Sequence, residues 1–486
     1  MLLEFRQGDA NCHHLRGLVA FALNRNDEAL LWIRSAVEIQ PSSVTFNSLC
    51  VVQTACRDYE GAISSAQHGL ALQADSAVLH YNMALAMQLA GRLDEAATCY
   101  RSAIEHAPEH SASHNNLGIV LKTSDRLGEA EHHFRRAVSL DPANHEARSN
   151  LGHVLLKLGR FTEAWPYFED RWASFNGVDG SRRIQRPDLP LPQWTGTVGD
   201  SGSRRRHLLV TNEQGLGDAL QFARYLPLLN EHFDKIGYDC PAPLRRLFED
   251  SFCSRFANLV LLDSLPAASD EWDWQCPLMS LPMAFDTRVD TIPAAIPYLQ
   301  ADVERVRYWR ERFSQHGAFS RLRRVGLVWA GDPRPDQPGA NTIDGRRSFR
   351  ASAYLPLLRL PGITFVSLQK GDLTRPQLYD LPPELRPLDL MGEVRDFADT
   401  AALIECLDLV ITVDTSVAHL AGALGKPVWI LSRFDGCWRW LQNRDDSPWY
   451  PTARLFRQTR PGDWDGVIER VARALRSDNE TGTRRS

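Results

Sequence analysis

No two of the nine cysteines are spaced as C-x-x-C, which argues against a zinc site or a disulfide framework and fits a reducing compartment. No apolar run reaches the roughly 18 residues that a membrane span needs, so none is expected. The opening MLLEFRQGDANCHH lacks the charged start and long apolar core of a secretory signal. An excess of one charge is missing too. Lys and Arg number 55 against 60 Asp and Glu, a net charge of -5, so no general attraction to nucleic acid or an anionic membrane is implied. These absences point to a cytoplasmic protein. What is present is ordinary for a globular chain: 43% apolar and 24% charged residues. A length of 486 residues suits about three domains.

The first third repeats itself. Ala62, Ala96, Ala130 and Ala164 stand 34 residues apart, and Ala29 leads them by 33. Gly17, Gly118 and Gly152 precede their alanines by twelve positions, while Pro41, Pro108 and Pro142 follow by twelve. Ala36, Ala103 and Ala137 fill the slot between. Each unit reads as two amphipathic helices, such as Ser113–Ser124 and Gly128–Leu140. Small residues let the pair approach closely, and proline ends the second helix. This pattern resembles the tetratricopeptide repeat. One unit cannot bury its apolar face alone, but about five stacked units can. Residues 1–172 are therefore expected to form an all-α superhelix with a concave face for another macromolecule. Asn82, Asn116 and Asn150 recur at 34-residue steps. Such a ladder can donate to and accept from an extended peptide backbone; equally, it can bond between neighbouring helices.

Composition changes after Trp172. Residues 173–206 are rich in Gly, Pro, Ser and Arg, as a linker would be. Beyond them, strand and helix alternate. Strands are expected at 207–212, 258–262 and 272–276, with an apolar helix at Ala219–Asn230. WRERFSQHG (309–317) reads as a connecting helix. A second series has strands at 324–331, 363–371, 407–414 and 426–431, with helices at Ala351–Leu358, Asp399–Cys406, Ser416–Leu424 and Asp465–Leu475. That alternation predicts two α/β Rossmann-like lobes, 207–308 and 309–475, ahead of a charged tail at 476–486. Ligands of such sheets bind beyond the carboxyl ends of the strands.

The segment 410–431, VITVDTSVAHLAGALGKPVWIL, places a strand end at Asp414 directly before a helix opened by Thr415 and Ser416. Helix starts offer free N–H groups and partial positive charge, and hydroxyls with His419 one turn in suit a diphosphate. The plainer reading is a helix cap with His419 satisfied in the core. DTSVAHLAGALGKP resembles the D-T/S-G-x-x-H-x-A-x-A-x-x-x-P segment of the lipopolysaccharide heptosyltransferases, with Ser416 where that family usually has glycine. The resemblance covers roughly 207–475. It implies that Asp414, Thr415, Ser416, Val417, Ala418 and His419 hold the diphosphate of a nucleotide-sugar. It also implies that Asp218, in EQGLGDALQFARYLPLL, is the general base. One carboxylate within reach of the attacking oxygen is what an inverting transfer needs. Alternatively Asp218 caps its helix, and Glu213 is the next candidate. Gly215-Leu216-Gly217 is a poor dinucleotide fingerprint, because the third glycine would fall at Leu220.

Family members carry a basic residue after the strand at 324–331. Arg347 is the choice here, with Ser348 beside it and Arg346 as substitute, because planar guanidinium pairs well with phosphate oxygens. Lys370 at the end of VSLQKG is a further donor contact. Trp438, Trp440 and Trp449 crowd one loop after the last central strand. They suit stacking on a base or sugar, though packing fits at least two of them better. No clear D-x-D pair sits in a loop at a strand end, and such transferases usually need no metal; no metal or cofactor is expected beyond the nucleotide-sugar donor. Repeats joined to a two-Rossmann transferase are similar in layout to the O-linked N-acetylglucosamine transferases. The expected function is thus inverting sugar transfer to a protein hydroxyl, with the peptide held by the repeats. The alternatives are a glycan or lipopolysaccharide acceptor, a sugar epimerase, and a non-catalytic scaffold.

Overall fold

The computed structural model describes residues 9–174, 187–196, 206–266, 271–315, 322–336 and 338–483. The chain forms two compact units, Met1–Val154 and Leu155–Ser486.

The first unit is built of paired helices: α1 (Ala10–Ala22) with α2 (Asn26–Ile39), α3 (Ser43–Ala55) with α4 (Tyr59–Leu72), α5 (Ala77–Leu89) with α6 (Leu93–His106), and α7 (Ser111–Thr123) with α8 (Leu127–Leu140). Helix α9 (His145–Lys157) begins the next pair. Pro41, Pro108 and Pro142 lie just past the ends of α2, α6 and α8, where a proline cannot extend the helix. The periodic alanines Ala29, Ala62, Ala96 and Ala130 are wholly buried. The glycines set the distance within a pair. A β-carbon on Gly118 would stand 2.7 Å from the Phe134 ring, and one on Gly17 would stand 2.3 Å from Ile33.

The second unit starts earlier than the repeat pattern suggests. Helix α10 (Phe161–Phe168) completes the fifth pair, yet it belongs to this unit. Its apolar residues Phe161, Trp165 and Phe168 are buried there. Part of the expected linker is also packed. Trp194 is buried, and its backbone N–H donates to the Gln275 carbonyl at 2.8 Å. Residues 175–186 and 197–205, with Arg204 and Arg205, lie outside the described residues.

Two parallel sheets follow. The first contains β1 (His207–Thr211), β2 (Lys235–Asp239), β3 (Leu259–Leu262) and β4 (Trp274–Pro277) in the order β3-β2-β1-β4. Helix α11 (Leu216–Phe222) follows β1, and α12 (Val303–Gln315) leads to the second sheet. That sheet contains β5 (Arg323–Val328), β6 (Ile363–Ser367), β7 (Leu388–Asp389), β8 (Leu409–Val413), β9 (Val428–Ser432) and β10 (Ala453–Arg457). Its order is β10-β9-β8-β5-β6-β7, the doubly wound arrangement whose switch point lies between β5 and β8. Helices α13 (Pro338–Arg347), α14 (Phe397–Glu405), α15 (Ser416–Ala423) and α16 (Trp464–Thr483) complete this lobe. Leu327, Leu409, Ile411 and Leu431 from the strands are fully buried with Val467, Val471 and Leu475 of α16. Each such side chain contributes about 1.5–3 kcal/mol.

Several elements depart from expectation. Strands β2, β7 and β10 add to those expected. Gly237 inside β2 makes room for the Trp272 ring, which a β-carbon there would meet at 2.3 Å. The stretch before Arg346 reads as a polar loop, yet it is helix α13. Pro338 opens it, the one helical position where a missing N–H costs nothing. The expected helix Ala219–Asn230 is α11, a 3-10 turn and a short turn at Leu226–Leu229.

Gly118→Leu is expected to destabilise the repeats by about 1–3 kcal/mol, as overpacking does. Gly128→Ala meets nothing within 4 Å and should be neutral or stabilising. Thermal unfolding of the two variants beside the parent checks the contrast.

Candidate functional site

The chemistry-bearing segments sit at the carboxyl ends of β1, β5 and β8. At the end of β8, Thr415 is extended (φ -133°, ψ 174°) and precedes α15 without capping it. Its hydroxyl lies instead 3.1 Å from the Thr412 hydroxyl. Among the described residues no side chain caps the start of α15. The Ala418 N–H is taken by the Thr415 carbonyl at 3.0 Å, so the amides of Ser416 and Val417 are the ones that face outward from the first turn. The helix ends at Gly425, whose φ of +72° suits glycine.

Arginines surround this start. Arg347, in the last turn of α13, donates from Nε to Asp344 Oδ1 at 2.8 Å and from Nη1 to the Asp414 carbonyl at 3.1 Å. Its guanidinium occupies the space where Gly331 has no side chain, 2.3 Å from an ideal β-carbon there. The Gly331 N–H donates to Ser348 Oγ at 3.0 Å. Arg347, Ser348, Gly331 and Asp414 therefore meet at the switch point between β5 and β8. Arg346 pairs with Asp435 at 2.9 Å, and Arg433 pairs with the same carboxylate at 2.7 Å. Burial lowers the Arg346 pKa, with Asp435 opposing. Lys370 is placed differently: its amine donates to the Val394 carbonyl at 3.0 Å.

Asp218 lies in the first turn of α11. Its Oδ2 accepts the Gly215 N–H at 3.0 Å, which caps the helix, and its Oδ1 pairs with Arg439. Arg439 also donates to Gln221 Oε1 at 2.6 Å and to Cys437 Sγ at 3.2 Å. Burial would lower the pKa of this guanidinium, but Asp218, Cys437 and Asp414 together outweigh that and raise it. The Gly215–Asp218 segment touches the start of α15. A β-carbon on Gly217 would stand 3.1 Å from the His419 ring and 3.5 Å from Ser416 Cα.

Five expected residues are closed off by packing. His419 is buried behind the first turn of α15, its Nδ1 3.0 Å from the Tyr450 hydroxyl and its ring stacked on Trp440 at 5.3 Å. The second candidate base, Glu213, is closed in a buried ion pair: Arg171 donates Nε and Nη2 to its oxygens, each at 2.8 Å. Of the loop tryptophans, Trp438, Trp440 and Trp449 are all buried, so packing is the role of each. The sequence reading passed over Arg439 and Arg224. Arg224 is buried without a carboxylate, and donates to the Trp449 carbonyl at 2.9 Å with Tyr298 and Tyr450 rings 4.9 Å away. The signal for Arg439 was its place between two tryptophans in CWRW, where long apolar neighbours imply burial.

Residues 364–431, which run from β6 to β9, match the profile of glycosyltransferase family 9 (heptosyltransferase). Residues 75–143 and 121–176 match tetratricopeptide repeat profiles. The chain joins tetratricopeptide repeats to a glycosyltransferase family 9 domain. The family match contains Asp414–His419 and Lys370, but neither Asp218 nor Arg347. Protein FlbA of Caulobacter vibrioides is 29% identical over 330 residues, 64% of this chain and 52% of that protein. The chain thus spans about half the length of this curated relative. Among solved structures, PilF of Pseudomonas aeruginosa is 20% identical over 35% of this chain and 78% of its own, with a TM-score of 0.33. MamA of Desulfovibrio magneticus is 15% identical over 35% of this chain and 97% of its own, with a TM-score of 0.32.

In the tetratricopeptide repeats the asparagines bond from one pair to the next. Asn82 donates to Asn47 at 2.7 Å, Asn116 to the Tyr81 hydroxyl at 3.1 Å, and Asn150 to Asn115 at 3.4 Å. Asn150 also accepts from Lys122 at 2.6 Å. The inter-helix alternative is thus realised, and each side chain is left half-buried.

The pKa of His419 is held well below its ordinary value by burial first, then by Arg439 and Arg224. The unfolded chain binds a proton there below about pH 6.5 while the folded chain does not. Stability should therefore fall as pH drops through the window from about 6.5 to 5, by up to about 1.4 kcal/mol per unit from this group. His419→Asn should lose that part of the slope. Melting temperatures of parent and variant across this window decide it, and equal slopes would contradict the assignment.

Proposed function

We propose that this chain is an inverting glycosyltransferase that moves a sugar from a nucleotide-sugar to a hydroxyl of a protein held by the repeats. The observation that carries the reading is the apposition of two segments some two hundred residues apart, Gly215–Asp218 and the start of α15. In this reading the donor diphosphate lies against the Ser416 and Val417 amides, with the Thr415 and Ser416 hydroxyls beside it. Arg347 neutralises it from the β5 side, next to Ser348. Lys370 would join only by leaving the Val394 carbonyl. His419 acts from behind, by filling the space under the helix start.

The acceptor oxygen attacks the anomeric carbon as its bond to the diphosphate breaks, and the acceptor proton passes to Asp218. A carboxylate has about four lone-pair positions, so the Gly215 and Arg439 partners leave sites for that proton while fixing the group's direction. The negative charge of the leaving nucleoside diphosphate falls on Arg347 and the helix start. This route involves neither a metal nor a further cofactor. Among the described residues no helix is long and apolar enough to cross a membrane. We assign the reaction to the cytoplasm on the composition of the chain. The tetratricopeptide repeats support a protein acceptor.

A thermal-shift panel of UDP-, GDP- and ADP-sugars identifies the donor. A bound donor at 100 times its Kd should stabilise by about 2.7 kcal/mol. Arg347→Ala should then weaken donor binding by about 1.5–3 kcal/mol. Asp218→Asn should bind donor like the parent but turn over about a hundredfold to ten-thousandfold more slowly. Near-parental transfer by Asp218→Asn would assign Asp218 to helix capping alone. Mass spectrometry of co-expressed proteins separates the acceptors: a sugar adduct on Ser or Thr supports the proposal, and an adduct only on glycan contradicts it.

A further inference from the structure

We propose that the last repeat helix, α10, is a working part of the transferase site. It seats Trp438, and through Trp438 it fixes the Arg439 that orients Asp218. The inference rests on the role given to Asp218 above, and it makes Trp165, Trp438 and Arg439 positioning residues.

Two side chains from the loop after β9, Trp438 and Trp449, pack on the apolar face of α10. The Trp438 ring centroid lies 6.3 Å from Phe161, 6.1 Å from Trp165 and 6.0 Å from Phe168. All three rings meet it edge-on, the arrangement that aromatic pairs favour. The Arg439 guanidinium lies over the same Trp438 ring, 4.7 Å from its centroid. The same loop is held a second time, where Lys157 at the end of α9 donates to the Asp435 carbonyl at 2.9 Å. Asp435 in turn pairs with Arg346 and Arg433. Helix α10 is anchored to the first lobe as well. Trp165 Nε1 donates to the Thr287 carbonyl at 2.8 Å, and Arg171, just beyond the helix, is locked to Glu213. A helix that served only to dock a partner would need none of these bonds. Here it bridges a lobe carrying Asp218 and a loop carrying the partner of Asp218.

The test uses the full chain and the variants Trp165→Ala and Trp165→Phe. Two readouts need no substrate: hydrogen exchange of peptides spanning 433–441, and the alkylation rate of Cys437 followed by peptide mass spectrometry against the other cysteines. In Trp165→Ala both should rise, and Trp165→Phe should restore them. With the donor found above, Trp165→Ala should lower turnover by about ten- to a hundredfold, the effect of misplacing a reacting group, with donor affinity unchanged. In an Asp218→Asn background it should cause no further loss. Unchanged exchange and alkylation, or an equal turnover loss in both backgrounds, would overturn the proposal. If Trp165→Ala loses its cooperative thermal transition, Arg439→Lys tests the same link, with turnover expected to fall and donor affinity to hold; parental turnover there overturns it. Should the parent bind no nucleotide-sugar, the proposed function fails, while exchange and alkylation still decide whether α10 seats the loop.

Discussion

Arg439 carries its charge in a buried position, and a buried guanidinium must be met by a carboxylate and by acceptors for its remaining N–H groups. Leaving it unpaired would cost several kcal/mol. Its partners are Asp218 and Gln221 on α11 and Cys437 on its own loop. Satisfying one cation therefore ties the loop after β9 to the helix after β1, one from each sheet. The position of α11 against α15 follows from that tie. Gly217 can touch His419 and Ser416 only because it has no side chain to interpose. Arg224 repeats the arrangement a few residues on, held by carbonyls and tyrosine rings in place of a carboxylate.

This constraint gives the crevice its asymmetry. On one side stands Asp218, with both oxygens engaged but lone pairs remaining. On the other stands the start of α15, which no side chain among the described residues caps, with Arg347 on the Asp414 carbonyl beside it. The doubly wound order of the second sheet puts the end of β8 beside the end of β5. Asp414 and Gly331 are thereby brought to one point, and Arg347 spans them. The arginines beside α15 and the carboxylate of Asp218 are separate features of separate lobes, and packing at Gly217 joins them.

Much of this was legible in the sequence. The 34-residue alanine period predicted helix pairs, because small residues at helix contacts are a local requirement. The Asp414–His419 segment was readable because strand, polar turn and helix are consecutive in the chain. Distant pairings were not legible. Nothing local in Glu213 says that Arg171 faces it, and nothing in Asp218 announces Arg439. Strand β2 was not legible because the Trp272 ring that packs at Gly237 lies far along the chain. The end of the repeats was also hidden. The periodic pattern runs unbroken through Ala164, but the apolar face of α10 packs with the α/β lobes, a fact of tertiary contact and not of period.

The central claim is that the start of α15 and Arg347 form a diphosphate site facing Asp218. The most direct measurement is a crystal structure of the full chain soaked with pyrophosphate, the part common to donors linked through a nucleoside diphosphate. The account predicts density within hydrogen-bond distance of the Ser416 and Val417 amides and of the Arg347 guanidinium. Pyrophosphate bound elsewhere, with the start of α15 bare, would contradict it.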